Sequence, residues 1–283
     1  MDISVLERIK TGDFSKGQRR IADYILCHEK QAFSMTAAEL AKAADVSEAT
    51  VVRFAYSLGY DGYHHFQKTL ASQTKNHLTA FERMELFSEK GKGDAIKTVL
   101  KSDMSKLEHT MSRIDYDSFN IAVNALLNAK NIYIAGVRSS AALVTFAEFY
   151  LSLLFENCHG ITGYGGEDIA QKLFHAGKGD VVLGISFPRY SAAMVKAMEF
   201  AKNKNAFVVS LTDSIHSPIV PHSDCVLLAD SDMDSFTDSL VAPMSVLNAL
   251  IFAVGYSMKD RTKQIFDELE NIWKDYEVYD SNK

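Results

Sequence analysis

Thr36-Ala37-Ala38-Glu39-Leu40-Ala41-Lys42-Ala43-Ala44-Asp45-Val46-Ser47-Glu48-Ala49-Thr50-Val51-Val52-Arg53-Phe54-Ala55-Tyr56-Ser57-Leu58 is the stretch on which the reading of the chain turns. Thr36 followed three residues later by Glu39 has the form of a capping box: the hydroxyl accepts from the N3 amide and the carboxylate reaches back. Leu40, Ala41 and Ala44 follow at helical spacing. Asp45-Val46-Ser47 then makes a tight turn. Asp visits the left-handed region more readily than most residues, and Ser47 is a good N-cap for a helix over Ser47 to Leu58. Two short helices joined in this way form a helix-turn-helix, whose second helix can enter a major groove.

Steps of 100° around that second helix sort its faces. Val51, Phe54, Ala55 and Leu58 cluster on one side and belong to a core. Ala49, Thr50, Arg53, Tyr56 and Ser57 fall on the other, with Ser47 at the helix start. Small residues there permit close approach, hydroxyls can bond, and Arg53 can grip a guanine edge or a phosphate. Lys16, Arg19, Arg20 and Lys42 are candidates to position the phosphate backbone. A helical packing domain with a polar exposed face fits the same periodicity, so spacing alone leaves both readings open.

Working outward, Ser15-Lys16-Gly17-Gln18 is a second capping box, followed by Ile21, Tyr24, Ile25 and His28 at helical spacing. Gly59-Tyr60-Asp61-Gly62 stops the recognition helix, and Tyr63 to Ala71 reads as another. Residues 1–76 are therefore expected to form an all-α helix-turn-helix domain. Residues 77–114 read as a polar, helical connector. On a helix starting near Asp94, the stripe Ile96, Val99, Leu100, Met104, Leu107, Met111 and Ile114 is expected to pack on the second domain.

Residues 115–283 alternate strand and helix. Strands are expected at Asn131–Ala135, Cys158–Thr162, Val181–Ser186, Phe207–Thr212 and Val226–Ala229. Helices fall at Ser139–Phe155, Glu167–Ala176, Ser191–Asn203 and Phe236–Met258, with an amphipathic tail beyond. Short, continuously apolar strands between helices imply an α/β domain, a doubly wound five-stranded parallel sheet covered on both faces. Ligands of such sheets bind beyond the strand carboxyl ends, where the winding reverses. The first strand runs into Gly136-Val137-Arg138-Ser139-Ser140 and the third into Ser186-Phe187-Pro188-Arg189-Tyr190-Ser191. In the order 2-1-3-4-5 these loops are neighbours, and hydroxyls, amides and positive helix ends can converge on an anion. Simple helix capping by Ser139, Ser140 and Ser191 is the competing explanation. Glu167 and Asp168 at a helix start could bind hydroxyls of a ligand, or simply complement the helix dipole.

Thr36 to Ala41, Val46 to Phe54 and Leu58-Gly59-Tyr60-Asp61-Gly62-Tyr63 together resemble the RpiR family of bacterial transcription regulators. The remainder is similar to the sugar isomerase (SIS) domain that these regulators carry. The resemblance implies a homodimer or larger oligomer that binds double-stranded DNA through the first domain and senses a phosphosugar through the second. Ser140 matches the serine ending the SIS pattern's first loop. Ser186 and Ser191 match the outer hydroxyls of its Ser-x-Ser-Gly-x-Ser/Thr loop, where Pro188 and Arg189 replace the middle Ser and the Gly. Proline has no amide hydrogen for a phosphate, and Arg189 can bind one by charge-assisted hydrogen bonds.

The overall charge excludes little. Of the 283 residues, 30 are Lys or Arg and 36 Asp or Glu, a net charge of −6. Residues 1–75 carry +1 and the rest −7, which is unlike a protein that coats nucleic acid non-specifically. No apolar run approaches the ~20 residues of a membrane span, and the charged amino terminus has no signal core. Three widely spaced cysteines read as reduced thiols of a cytoplasmic protein. Nine histidines show no metal spacing, so no metal and no cofactor are expected. Two further readings remain: a sugar-phosphate isomerase with an accessory helical domain, for which Glu148, Glu167 and His175 are the available bases, and a dimerisation scaffold without a ligand.

Overall fold

A computed structural model describes residues 5–77, 81, 84, 94–163, 166–231 and 237–278. The chain divides into two compact units, residues 1–88 and 89–283. The first is helical: α1 (Val5–Thr11), α2 (Lys16–Cys27), α3 (Glu29–Ala32), α4 (Ala37–Ala43), α5 (Glu48–Ser57) and α6 (Tyr63–His77). Both capping boxes form, at Ser15 with Gln18 and at Thr36 with Glu39. Ile21, Ile25, Leu40, Val51, Phe54 and Phe66 are fully buried together. Phe54 of α5 meets Phe14 at 5.1 Å and the edge of Phe66 at 5.7 Å. Burial of such side chains is worth roughly 1.5–3 kcal/mol each, and it fixes which face of α5 turns outward.

The second unit runs α7 (Ala95–Ser112), α8 (Tyr116–Leu127), β1 (Ile132–Gly136), α9 (Ser140–Leu154), β2 (Cys158–Ile161), α10 (Gly166–Lys172), β3 (Val181–Ile185), α11 (Ala192–Asn203), β4 (Phe207–Thr212), a 3₁₀ turn (Val220–His222), β5 (Cys225–Leu228), α12 (Val241–Ser257) and α13 (Lys259–Asp275). The strands are all parallel in the order β2-β1-β3-β4-β5. The central strands β1 and β3 are buried throughout, as continuously apolar runs require. One face of the sheet is covered by Leu143 and Val144 of α9, Leu126 of α8 and Leu247 of α12, the other by Ile169 of α10 and Met194 and Met198 of α11. The edge strand β2 is closed from the side: the Gly160 amide donates to Glu148 Oε1 of α9 at 2.6 Å.

Two expectations need correction. Phe236, the expected start of the helix after the last strand, lies outside the described residues; among those described that helix starts at Val241, because Asp238 and Ser239 are held out of it by contacts elsewhere in the unit. Ser239 Oγ donates to Asp103 of α7 at 2.6 Å, and its carbonyl accepts from Ser231 Oγ at 2.9 Å. Most of the apolar stripe of α7 is not covered by its own unit either: Ile96, Leu100, Met104 and Met111 are all more than half exposed, Leu107 is half-buried, and Lys106 and Thr110 are buried. Polar anchors set the helix's rotation. Besides Asp103, His109 Nδ1 lies 2.5 Å from Asp230 Oδ2, Arg113 Nη1 donates to Asp230 Oδ1 at 3.2 Å, and the Asp230 amide donates to Thr110 Oγ1 at 2.9 Å.

Candidate functional site

The first candidate surface is the outer face of α5. Asp45 in the turn has φ +53°, the left-handed conformation its position demands. Arg20 Nη1 from α2 staples it, donating to both the carbonyl and Oδ2 of Asp45 at 3.0 Å. Ser47 caps α5 by accepting from the Thr50 amide at 3.3 Å, and its hydroxyl lies 2.8 Å from Thr50 Oγ1. Arg53 Nη2 donates to the same Thr50 hydroxyl at 3.3 Å. Ser47, Thr50 and Arg53 thus form one polar row, with Ala49, Tyr56 and Ser57 exposed around it. Ser57 Oγ is tied back to the Phe54 carbonyl and accepts from Gln18 of α2.

The four basic candidates divide into two pairs. Gly17 lies so close to Thr50 that an added Cβ would stand 3.2 Å from its methyl, which puts Lys16 beside the start of α5. Lys16 and Lys42 are exposed. Arg19 lies over the Phe14 ring, 5.4 Å from its centroid, and donates to the Gly12 carbonyl, while Arg20 holds the turn. Both arginines have structural work in the unit itself.

The second surface lies at the carboxyl ends of β1 and β3, which are paired neighbours with Gly136 opposite Ile185. The order β2-β1-β3-β4-β5 places the topological switch there. Arg138 and Arg189, one in each loop, both adopt positive φ, +57° and +47°. That conformation is uncommon for a non-glycine residue and concentrates at ligand clamps. Ser140 and Ser186 are buried, and both arginines are exposed. Among the described residues, no hydrogen bond or ion pair engages the side chains of Arg138, Ser140, Ser186, Arg189 or Ser191. The capping explanation does not hold for the two N-cap positions, because neither Ser139 at α9 nor Ser191 at α11 makes a side-chain cap bond. At α9 the first amides are taken up by the carbonyls of Val137, Arg138 and Ser139, so that start offers its positive dipole end rather than spare donors, whereas no described backbone bond engages the first amides of α11.

Three participants escape a reading by motif. Ser139 Oγ donates to Asp238 Oδ2 at 2.5 Å, and the Tyr190 hydroxyl donates to Asp213 Oδ1 at 2.8 Å. Burial, reinforced by Asp213, raises the Tyr190 phenol far above its ordinary range, so it stays protonated. Asp238 lies 99 residues from Ser139; its only sequence signal is the acidic run after the last strand, from Asp230 to Asp238. The side chain of Glu167 lies outside the described residues. Asp168 is exposed on α10, and no described hydrogen bond or ion pair brings it to the crevice.

Of the residues that could serve as a general base, Glu148 is engaged with the β2 edge, and His175 is exposed with its ring edge-on to Phe174 at 5.1 Å. An apolar groove of about 440 Å³ runs along the opposite side of the unit from β2, between α7, α8, α12 and β5, with Leu107, Met111, Phe119 and Val226 in its lining. Its walls do not suit an anion. Among the described residues no group of His, Cys, Asp and Glu could hold a metal, and no single helix is long and apolar enough to cross a membrane.

Comparison with known proteins matches residues 3–77 to the helix-turn-helix domain of the rpiR family and residues 125–253 to the SIS domain. The chain is similar to the HTH-type transcriptional regulator HexR of Escherichia coli, 26% identical over 283 residues, covering 95% of this chain and 93% of that one. Its second unit shares the fold of the sugar isomerase domain of an RpiR transcription factor from Sphaerobacter thermophilus, at 25% identity and a TM-score of 0.59, over 62% of this chain and 98% of that one. Over 96% of this chain and 98% of the other it shares the fold of Vibrio vulnificus NanR, solved as a complex with ManNAc-6P, at 24% identity and a TM-score of 0.60.

Proposed function

We propose, from the premise that this chain belongs to the RpiR family of helix-turn-helix transcription regulators with a SIS domain, that an anionic sugar held between the β1 and β3 loops sets its affinity for DNA. The protein is a regulator rather than an isomerase, in keeping with its relatives and with the structural engagement of Glu148. The observation that carries the effector half is the crevice itself. Two buried serines, two exposed arginines held at positive φ and two helix starts without a side-chain cap converge at the switch point of a parallel sheet.

On the DNA side, Ser47, Ala49, Thr50, Arg53, Tyr56 and Ser57 face the bases, with Lys16 and Lys42 on the phosphates. Arg19 and Arg20 shape the domain and reach the backbone from its edge. The operator is an inverted repeat whose half-site centres lie about one helical turn, or a multiple, apart, read by a cytoplasmic homodimer or tetramer. Self-association is supported by the apolar residues that one chain leaves exposed, the α7 stripe and Phe149, Phe252 and Tyr256. Effector binding shifts the population between two placements of the DNA-reading heads.

Fluorescence-anisotropy titration of DNA from upstream of the protein's own gene, at fixed salt, tests the reading. The expected result is selective binding that weakens in Arg53→Ala and changes when one phosphosugar of a panel is added. Absence of selective binding to any genomic fragment, or measurable turnover of a sugar phosphate, refutes it.

A further inference from the structure

Asp238 sits at the lip of the crevice in an unbalanced state. One carboxylate oxygen, Oδ2, accepts the Ser139 hydroxyl at 2.5 Å. The other, Oδ1, is shut away from solvent and has no hydrogen-bond partner. A buried carboxylate oxygen without a donor is an unfavourable arrangement that folded chains rarely keep. Ser139 belongs to the first anion loop, one residue after Arg138 and one before Ser140, so this hydrogen bond ties the vacant acceptor to that loop.

The crevice therefore offers two opposite kinds of contact. Arg138, Arg189 and the starts of α9 and α11 attract negative charge, whereas Asp238 repels it and calls for a hydrogen-bond donor. A simple anion gains the first and suffers the second. A molecule that carries an anionic group at one end and hydroxyl or amino groups at the other satisfies both.

We propose that Asp238 is the specificity-determining residue of this crevice: Oδ1 accepts a hydrogen bond from a hydroxyl or amino group of the sugar, and so selects sugar phosphates over bare anions. The inference rests on the reading of the crevice as an anionic-sugar site. It adds the acceptor that distinguishes ligand from counter-ion. Asp238 does no chemistry.

The test is calorimetric titration of the full-length protein with a panel of hexose, pentose and amino-sugar phosphates and with sulfate, which carries charge but no hydrogen. In the wild type, the tightest sugar phosphate is expected to bind at least tenfold better than sulfate. Asp238→Ala should weaken that sugar phosphate by about tenfold or more, the worth of one hydrogen bond to a charged group, while sulfate binds as well or better. Asp238→Asn keeps an acceptor oxygen and a partner for Ser139, so it should hold the sugar phosphate within about threefold of wild type while sulfate tightens.

An unchanged sugar-to-sulfate ratio in Asp238→Ala overturns the proposal. So does an equal loss of both ligands in both variants, which would mean that Asp238 only holds its loop. In either case the sugar-phosphate reading of the crevice stands. A wild type that binds no sugar phosphate overturns both together.

Discussion

Arg53 donates to Thr50, a contact that, on the proposed reading, it exchanges for a base edge or a phosphate on DNA. Arg53→Ala is expected to weaken operator binding by about 1–3 kcal/mol, roughly five- to 150-fold. Loss of preference at one base position, with the salt slope unchanged, would mark a base contact; a slope reduced by about one would mark a phosphate contact. Thiol chemistry gives a second test at this scale. Cys158 is pushed up to about 12 by burial and then by Glu148, and Cys225 to about 11 by burial and then by Asp115. Both thiols hold their protons more tightly when folded than when unfolded. Their share of stability is therefore complete below about pH 9 and declines as pH rises through 11 to 12. Denaturation midpoints should be level up to about pH 9 and fall beyond it. A colorimetric thiol reagent should react in the native protein with Cys27, the exposed one, and with the other two only after unfolding. Much at this scale is legible in the chain itself. Thr36 with Glu39, Asp45 and Ser47 do what their local chemistry implies, because a cap or a turn depends on neighbours within three residues. Asp238 and the Tyr190–Asp213 pair were hidden for the converse reason, since their partners are brought to them by the fold.

At the scale of elements, the contact between α9 and the β2 edge gives a reciprocal prediction. A Cβ at Gly160 would stand 2.1 Å from the Glu148 carboxylate. Gly160→Ala should therefore destabilise the second unit by about 1–3 kcal/mol through overpacking. Adding Glu148→Ala should recover part of that loss, a coupling that a double-mutant thermal-denaturation cycle measures directly. The five parallel strands could be placed from sequence to within a residue or two, because buried central strands must be apolar throughout and helices must separate them. The seating of α7 could not. A hydrophobic stripe states that something covers that face; it does not say what. Here Asp103, His109, Thr110 and Arg113 fix the rotation through partners more than a hundred residues away, which no local periodicity encodes.

For the whole molecule, the apolar side chains left uncovered on one chain support the proposed self-association. Sedimentation is expected to give at least twice the chain mass, and Phe252→Glu should shift the distribution toward monomer and weaken operator binding. Asp230, Asp238 and Ser239 together have a wider consequence, because Asp238 is bonded to Ser139 of the first anion loop while Asp230 and Ser239 grip α7. If the crevice sets DNA affinity as proposed, α7 is the lever that links the two. Its grips lie between Asp103 and Arg113, and the arm before them, Ala95 to Ser102, leads back along the chain toward the DNA-reading unit. At 1.5 Å per residue that arm is about 12 Å long, so a swing of ~10° at the fulcrum carries its tip about 2 Å. Ser239→Ala and Asp230→Asn should slacken the grip, leaving sugar-phosphate affinity within about threefold while reducing the change in DNA affinity that the sugar produces. With a loose fulcrum, a displacement at the crevice is no longer delivered to the far end of the beam.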